Sequence, residues 1–212
     1  MARISVFGGT GYAGGNIAAE AARRGHSVTS FSRNLPEQPV DGVEYAQGSL
    51  LDATSRAEAL RADVVVVTVA PRGDMAGNVR NGIKALVAEA EQAGVRVGVI
   101  GGAGSLHVAE GGPRLFDTDG FPAEYKPESL EMADALDDLR ATETLDWFYV
   151  SPPAAFGGFA PGEALGTYRV GGDVLLTDDD GNSFISGADF GHALVDEIEQ
   201  PAHRRARFTV AY

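Results

Sequence analysis

Apolar and polar residues alternate along Ala2-Arg3-Ile4-Ser5-Val6-Phe7, which predicts a first strand. Eight mostly small residues follow, Gly8-Gly9-Thr10-Gly11-Tyr12-Ala13-Gly14-Gly15, and then a helical pattern over residues 16–24. The same exchange of extended and helical patterning continues down the chain. Residues 27–32 and 43–47 predict the second and third strands, and residues 52–61 a helix. Residues 63–69 (Asp63-Val64-Val65-Val66-Val67-Thr68-Val69) are β-branched after the opening aspartate, as suits a central parallel strand covered on both faces. A helix over 76–93 stops at Gly94, and 95–100 predict a fifth strand. Residues 101–126 hold many Gly, Pro and Asp and read as an irregular loop. A helix over 127–142, with Pro127 at its first position, places Leu130, Ala133, Leu136 and Leu139 on one face. Its other side carries Glu128, Glu131, Asp134, Asp137 and Asp138, which reads most simply as a solvated face. Residues 146–150 predict the sixth strand. Beyond it, 152–166 is loop-like, 167–185 predicts a hairpin turning at 178–182, 189–199 a short helix and 206–210 a last strand.

Strands alternating with helices predict an α/β fold, a doubly wound parallel sheet of the Rossmann kind. At 212 residues and 44% hydrophobic content, the chain is expected to form one domain, 1–212, with 152–212 contributing a small C-terminal substrate lobe. A net charge of −13 argues against a nucleic-acid partner or an anionic membrane surface. The absence of cysteine removes disulfides, thiolate metal sites and a cysteine nucleophile. His26, His192 and His203 lack metal-ligand spacing, so no metal site is expected. The first strand begins next to Met1 and no apolar run nears the ~20 residues that span a bilayer, so a soluble cytoplasmic protein is expected, monomeric or homodimeric.

The glycine stretch sits between a strand and a helix, the context in which such a pattern marks a dinucleotide site. Side chains at Gly8 or Gly11 would hold the backbone away from a diphosphate, and one at Gly14 would hold the helix away from the strand. The free amides and dipole of the first helical turn, around Thr10, Tyr12 and Ala13, then face the phosphates. Sites selective for NAD usually carry an acid at the end of the second strand, and here that end reads Phe31-Ser32-Arg33-Asn34. Ser32 and Arg33 can instead bind a 2′-phosphate, so NADP(H) is expected in preference to NAD(H). The bland reading of Arg33 is a solvated loop residue. The missing acid also argues against an S-adenosylmethionine site. Ligands lie beyond the carboxyl ends of parallel strands, so residues 48–52 belong near the adenine, although Asp52 fits a helix cap equally well. Ala70 and Pro71, followed by Arg72, belong at the middle of the cofactor. Gly101, Gly102 and Ala103 on one side, and Pro152 and Pro153 on the other, should flank the nicotinamide.

These residues carry a resemblance. Residues 8–15, the turn at 101–106, Leu145-Asp146-Trp147 leading to Ser151-Pro152, and Ile185-Ser186 with Asp189-Phe190 resemble an atypical short-chain dehydrogenase/reductase. The nearest group is the small bacterial NAD(P)H-binding proteins often labelled NADH-flavin reductase, related to NmrA-like and biliverdin/flavin reductases. The resemblance covers essentially the whole chain and implies a Rossmann fold, a small substrate lobe and NADPH as cofactor. One departure is Ser151-Pro152 where many relatives have Arg-Pro.

The Tyr and Lys four positions apart that reduce ketones in the wider family are absent, because no Tyr here is followed by Lys at that spacing. A flavin or quinone spreads the incoming charge over a conjugated system and can draw its proton from solvent. The expected activity is therefore NADPH-dependent hydride transfer to a planar conjugated acceptor, with flavin a candidate substrate. Ser105 is the candidate orienting group, and His107 and Tyr125 are candidate proton donors. Each has a bland alternative, as turn, loop and packing residue. The rival function is a non-catalytic, NADP(H)-sensing regulator that docks a partner, with the surface around 156–165 as its contact or, in an enzyme, as a substrate lid.

Overall fold

The alternating patterns resolve into one eight-stranded sheet in the computed structural model, which describes residues 1–212. The elements run β1 (Arg3–Phe7), α1 (Tyr12–Arg23), β2 (Ser27–Ser32), β3 (Val43–Gln47), α2 (Ala53–Ala59), β4 (Val64–Val67), α3 (Val79–Ala93), β5 (Arg96–Ile100), α4 (Lys126–Arg140), β6 (Trp147–Ser151), β7 (Arg169–Gly171), α5 (Gly187–Glu199) and β8 (Ala206–Ala211). Strand order is β3-β2-β1-β4-β5-β6-β8-β7, and every pairing is parallel except β7 with β8. The fold is the expected doubly wound α/β sheet. Its order reverses between β1 and β4, where Ile4 pairs with Val28 on one side and Val64 on the other.

The four valines of β4 show how the sheet is buried on both faces. Val64 and Val66 join Ile4, Val6, Ile17, Phe190 and Phe208 beneath α1 and α5. Val65 and Val67 join Phe7, Ile83, Leu86, Leu136 and Trp147 beneath α2, α3 and α4. Period-2 side chains divide a continuous apolar run between two helical layers. Small residues let α1 and α5 touch, since a Cβ on Gly191 would lie 2.6 Å from the Asn16 carbonyl oxygen. Of residues 152–212, α5 and β8 are built into the helical layer and the sheet.

Several expectations are corrected. Helix α1 begins at Tyr12 rather than Asn16, because Ala13, Gly14 and Gly15 continue the helix without an apolar repeat to reveal it. The hairpin over 167–185 does not form. β7 pairs with β8 instead, Val170 facing Val210, and the segment beyond it bridges to His107 and Ala155. The turn at 178–182 exists without a ladder, held by the Asp178 carboxylate accepting from the Asp180 and Asn182 amides. Leu130 is exposed, and Met132 and Ala135 fill the inner face of α4 beside Ala133, Leu136 and Leu139. The acidic side of that helix is not simply solvated. Arg80 on α3 donates to Asp138 at 2.6 Å and Asp134 at 2.7 Å, and Glu131 accepts from the Gly77 and Arg80 amides at the start of α3. No helix is long and apolar enough to cross a membrane.

Candidate functional site

The carboxyl ends of β1, β2, β4, β5 and β6 open into one cleft of about 790 Å³. Its first wall is the glycine turn. Gly8 adopts φ 87°, a left-handed conformation that favours glycine, and its amide donates to the Phe31 carbonyl at 2.9 Å. The Gly11 amide donates to the Gly8 carbonyl at 2.9 Å and closes the turn. Gly14 lies beneath it rather than in the cleft wall. A Cβ there would fall 2.4 Å from the Gly8 carbonyl oxygen and 2.5 Å from Thr68 Oγ1, so only glycine lets α1 start this close to β1.

The start of α1 has neither a capping side chain nor a carboxylate in its first turn. In contrast, α2 is capped by Asp52, which accepts from the Ser55 amide at 2.7 Å, and α5 by Ser186. The first-turn amides of α1 have no carbonyl of their own helix to bond, and Tyr12 and Ala13 line the cleft. This helix end therefore presents donors and a positive dipole to an anion. Thr10 donates its hydroxyl to Ser32 Oγ at 3.0 Å, tying the turn to the end of β2.

At that end Ser32 is buried and Arg33 stands on the rim. Arg33 reaches one carboxylate, the exposed Asp74, at 3.4 Å. Gly48, Ser49 and Leu50 line the neighbouring wall, whereas Asp52 faces α2 as its cap and does not. After β4, Ala70 and Pro71 line the middle of the cleft. Arg72 then crosses to the start of α4, donating to both oxygens of Glu128 at 2.5 and 2.7 Å with its guanidinium 5.8 Å from the centre of the Tyr125 ring. That contact raises the Arg72 pKa above its ordinary value.

Gly101, Gly102 and Ala103 after β5, and Pro152 and Pro153 after β6, meet at the far end. Gly101 must be bare, because the Tyr149 hydroxyl occupies the space of its side chain. Burial raises the Tyr149 pKa, so it remains a neutral phenol donating to the Met132 carbonyl at 3.1 Å. Aromatic rings flank this end. Phe121 and Tyr125 come from the loop before α4, and Phe156 and Phe159, from the loop after β6, line the cleft toward the start of α1. Tyr12 and Phe156 meet edge to face at 5.2 Å.

Of the three candidate catalytic residues, Tyr125 alone lines the cleft, half exposed at the start of α4. Ser105 and His107 face a separate pocket. Ser105 Oγ accepts from buried Arg207 at 2.9 Å, and His107 Nδ1 contacts the Gly112 carbonyl at 2.7 Å. Several cleft residues escaped the sequence reading, among them Phe121, Thr68 and Glu128. Thr68, whose hydroxyl donates to the Phe7 carbonyl at 2.9 Å, fills the space that Gly8 and Gly14 leave open. Glu128 was hidden in an acidic run, and its place one turn after Tyr125 was the available signal. No cluster of His, Asp and Glu is arranged to hold a metal.

The chain is similar to known proteins over nearly its whole length. Residues 8–201 match the model of a family described as NAD(P)H-binding. A crystal structure from Burkholderia pseudomallei, provisionally named an exported protein, is 45% identical with a TM-score of 0.87, covering 100% of both chains. One from Streptococcus pneumoniae, provisionally named an NADH-flavin reductase, is 31% identical with a TM-score of 0.84, covering 100% of this chain and 99% of the other. Protein YwnB of Bacillus subtilis, itself uncharacterised, is 36% identical over 98% of this chain and 97% of its own length.

Proposed function

The chain belongs to the NAD(P)H-binding family of atypical short-chain dehydrogenase/reductases, and from that membership we propose that it passes hydride from NADPH to a planar conjugated acceptor such as a flavin or quinone. The observation that carries this reading is the continuity of the cleft, which leads from the uncapped start of α1 to an end walled by aromatic rings. The residues present fit the cofactor, since the bare turn and carboxylate-free helix end suit a diphosphate. Gly8, Thr10, Gly11, Tyr12 and Ala13 would hold that group, and Ser32 with Arg33 a 2′-phosphate. Ala70 and Pro71 would support its centre, and Gly101–Ala103 with Pro152 and Pro153 its nicotinamide. When bound, the cofactor supplies a hydride.

The chain's own part is to orient the acceptor and exclude water. The rings of Phe121, Tyr125, Phe156 and Phe159 line the cleft, and a flat molecule would pack against them. Tyr125 is the candidate proton donor that lines the cleft. The conjugated acceptor tolerates solvent as an alternative source, which makes positioning the main contribution. Ser105 and His107, turned to the neighbouring pocket, take no part.

One feature favours the second reading, a cofactor-sensing regulator: Phe159 is 78% exposed and Leu165 60%, a surface a partner protein could cover. Stopped-flow oxidation of NADPH with a panel of flavins and quinones separates the two. The reductase reading expects saturable turnover with at least one acceptor. Rates equal to the enzyme-free reaction across the panel would overturn it.

A further inference from the structure

Behind the loop that follows β5 lies a second pocket of about 110 Å³, separate from the cleft and lined largely by polar side chains. Three arginines converge on it from different parts of the chain: Arg114 from the loop, Arg140 from α4 and Arg207 from β8. The Arg207 side chain is 3% exposed. It donates to Ser105 Oγ at 2.9 Å, to the Ser105 carbonyl at 3.2 Å and to Asp173 at 2.5 Å. Arg140 makes only long contacts, 3.2 Å to Asp137 and 3.3 Å to Asp173. Arg114 enters no ion pair, its guanidinium resting 5.7 Å from the Phe116 ring.

Three guanidiniums against the two carboxylates of Asp137 and Asp173 leave one positive charge uncompensated, in a chain whose net charge is −13. Burial lowers the pKa of Arg207, and Asp173 does not fully offset that penalty. Ser105 Oγ accepts from Arg207, and its own proton meets no acceptor within the protein. The walls are also preformed. The His107 amide donates to the Asp173 carbonyl at 2.9 Å, and the Leu175 amide to the His107 carbonyl at 2.8 Å.

We propose that this pocket is a binding site for a small free oxyanion of the inorganic phosphate class, held by Arg114, Arg140 and the Ser105 hydroxyl against buried Arg207. Planar guanidiniums match the oxygen spacing of such an anion. The volume of about 110 Å³ suits one small tetrahedral ion better than a nucleotide. Because Ser105 lies two residues beyond the Gly101–Ala103 wall of the cleft, an ion here would brace that wall from behind. The inference does not depend on what the cleft binds.

Residue-resolved amide NMR of the full chain, titrated with sodium phosphate at constant ionic strength, tests it. Saturable shifts in the millimolar range are expected at residues 105–107, 114 and 173–175. Arg114→Gln with Arg140→Gln, both reaching solvent, should weaken them at least tenfold while the rest of the spectrum stays native. Arg114→Gln alone, which breaks no ion pair, should weaken them several-fold. Shifts confined to the glycine turn, or a response matched by sodium chloride, would overturn the site.

Discussion

Replacing Arg33 by alanine probes how the cleft would tell NADPH from NADH. The Arg33 side chain is 56% exposed, and its one partner, Asp74, is 95% exposed at 3.4 Å. A pair so exposed contributes at most about 1 kcal/mol, so its loss leaves the fold intact. A 2′-phosphate could thus recruit the guanidinium at little cost. A hydrogen bond to a charged group is worth about 1.5–3 kcal/mol, and a half-solvated rim places Arg33 toward the lower figure. At about 1.4 kcal/mol per tenfold, NADPH should bind roughly 10- to 100-fold more weakly to Arg33→Ala, with NADH unchanged. Asp74→Asn removes the competing partner and a nearby negative charge, and should tighten NADPH by up to about fivefold, the equivalent of about 1 kcal/mol. Titration calorimetry with both cofactors at low and moderate salt reads these changes, and the discrimination should shrink as salt screens the contact. Equal losses for NADPH and NADH, or none for either, would refute the assignment.

Gly14→Ala forces a methyl to within 2.4 Å of the Gly8 carbonyl oxygen, so α1 must back away from the turn. Overpacking of this kind costs about 1–3 kcal/mol in chemical denaturation, and NADPH affinity should fall with it; native stability and affinity together would contradict the packing argument. Acid should destabilise the protein through three carboxyls. Burial pushes Asp189 up, yet Tyr212, Ser186 and the Leu165 and Gly166 amides hold it below its ordinary value, and Arg96 and His203 do the same for buried Glu197. Arg23 and Arg24 bring Glu20 down to about 2. Groups that bind protons less readily folded than unfolded contribute stability above their unfolded values, near 4, and lose it as pH falls through the folded ones. Thermal melts should therefore drop from about pH 4.5 toward pH 2, less steeply in Asp189→Asn; a flat profile would be inconsistent. Phe121→Ala should raise the KM for a flat acceptor about two- to twelvefold, the equivalent of 0.5–1.5 kcal/mol of ring contact, and leave cofactor Kd unchanged. A matching rise in cofactor Kd would place Phe121 elsewhere in the site.

The repeating parts of this fold were legible because they leave periodic marks. β2 and β3 fall on the residues their patterns indicate, and Gly94, in a left-handed conformation at φ 68°, ends α3 where glycine signals a stop. The glycine turn was legible through its place between strand and helix, and the end of β2 through what it lacks. Long-range partners were not. Nothing in a run of five acids says that Arg80 from the first turn of α3 and Arg72 from the segment after β4 meet them. A three-residue strand pairing with the last strand leaves too little alternation to be told from half of a hairpin. Ser105 lies close in sequence to the cleft glycines, yet the chain turns it toward Arg207, because a buried guanidinium needs acceptors.

The most direct test of the whole account is calorimetric titration of pyridine nucleotides into the wild-type protein. Saturable binding of one NADPH per chain is expected, at least tenfold tighter than NADH. No heat of binding with either nucleotide, across temperatures that rule out an accidental zero of enthalpy, would contradict the reading of the cleft at its root.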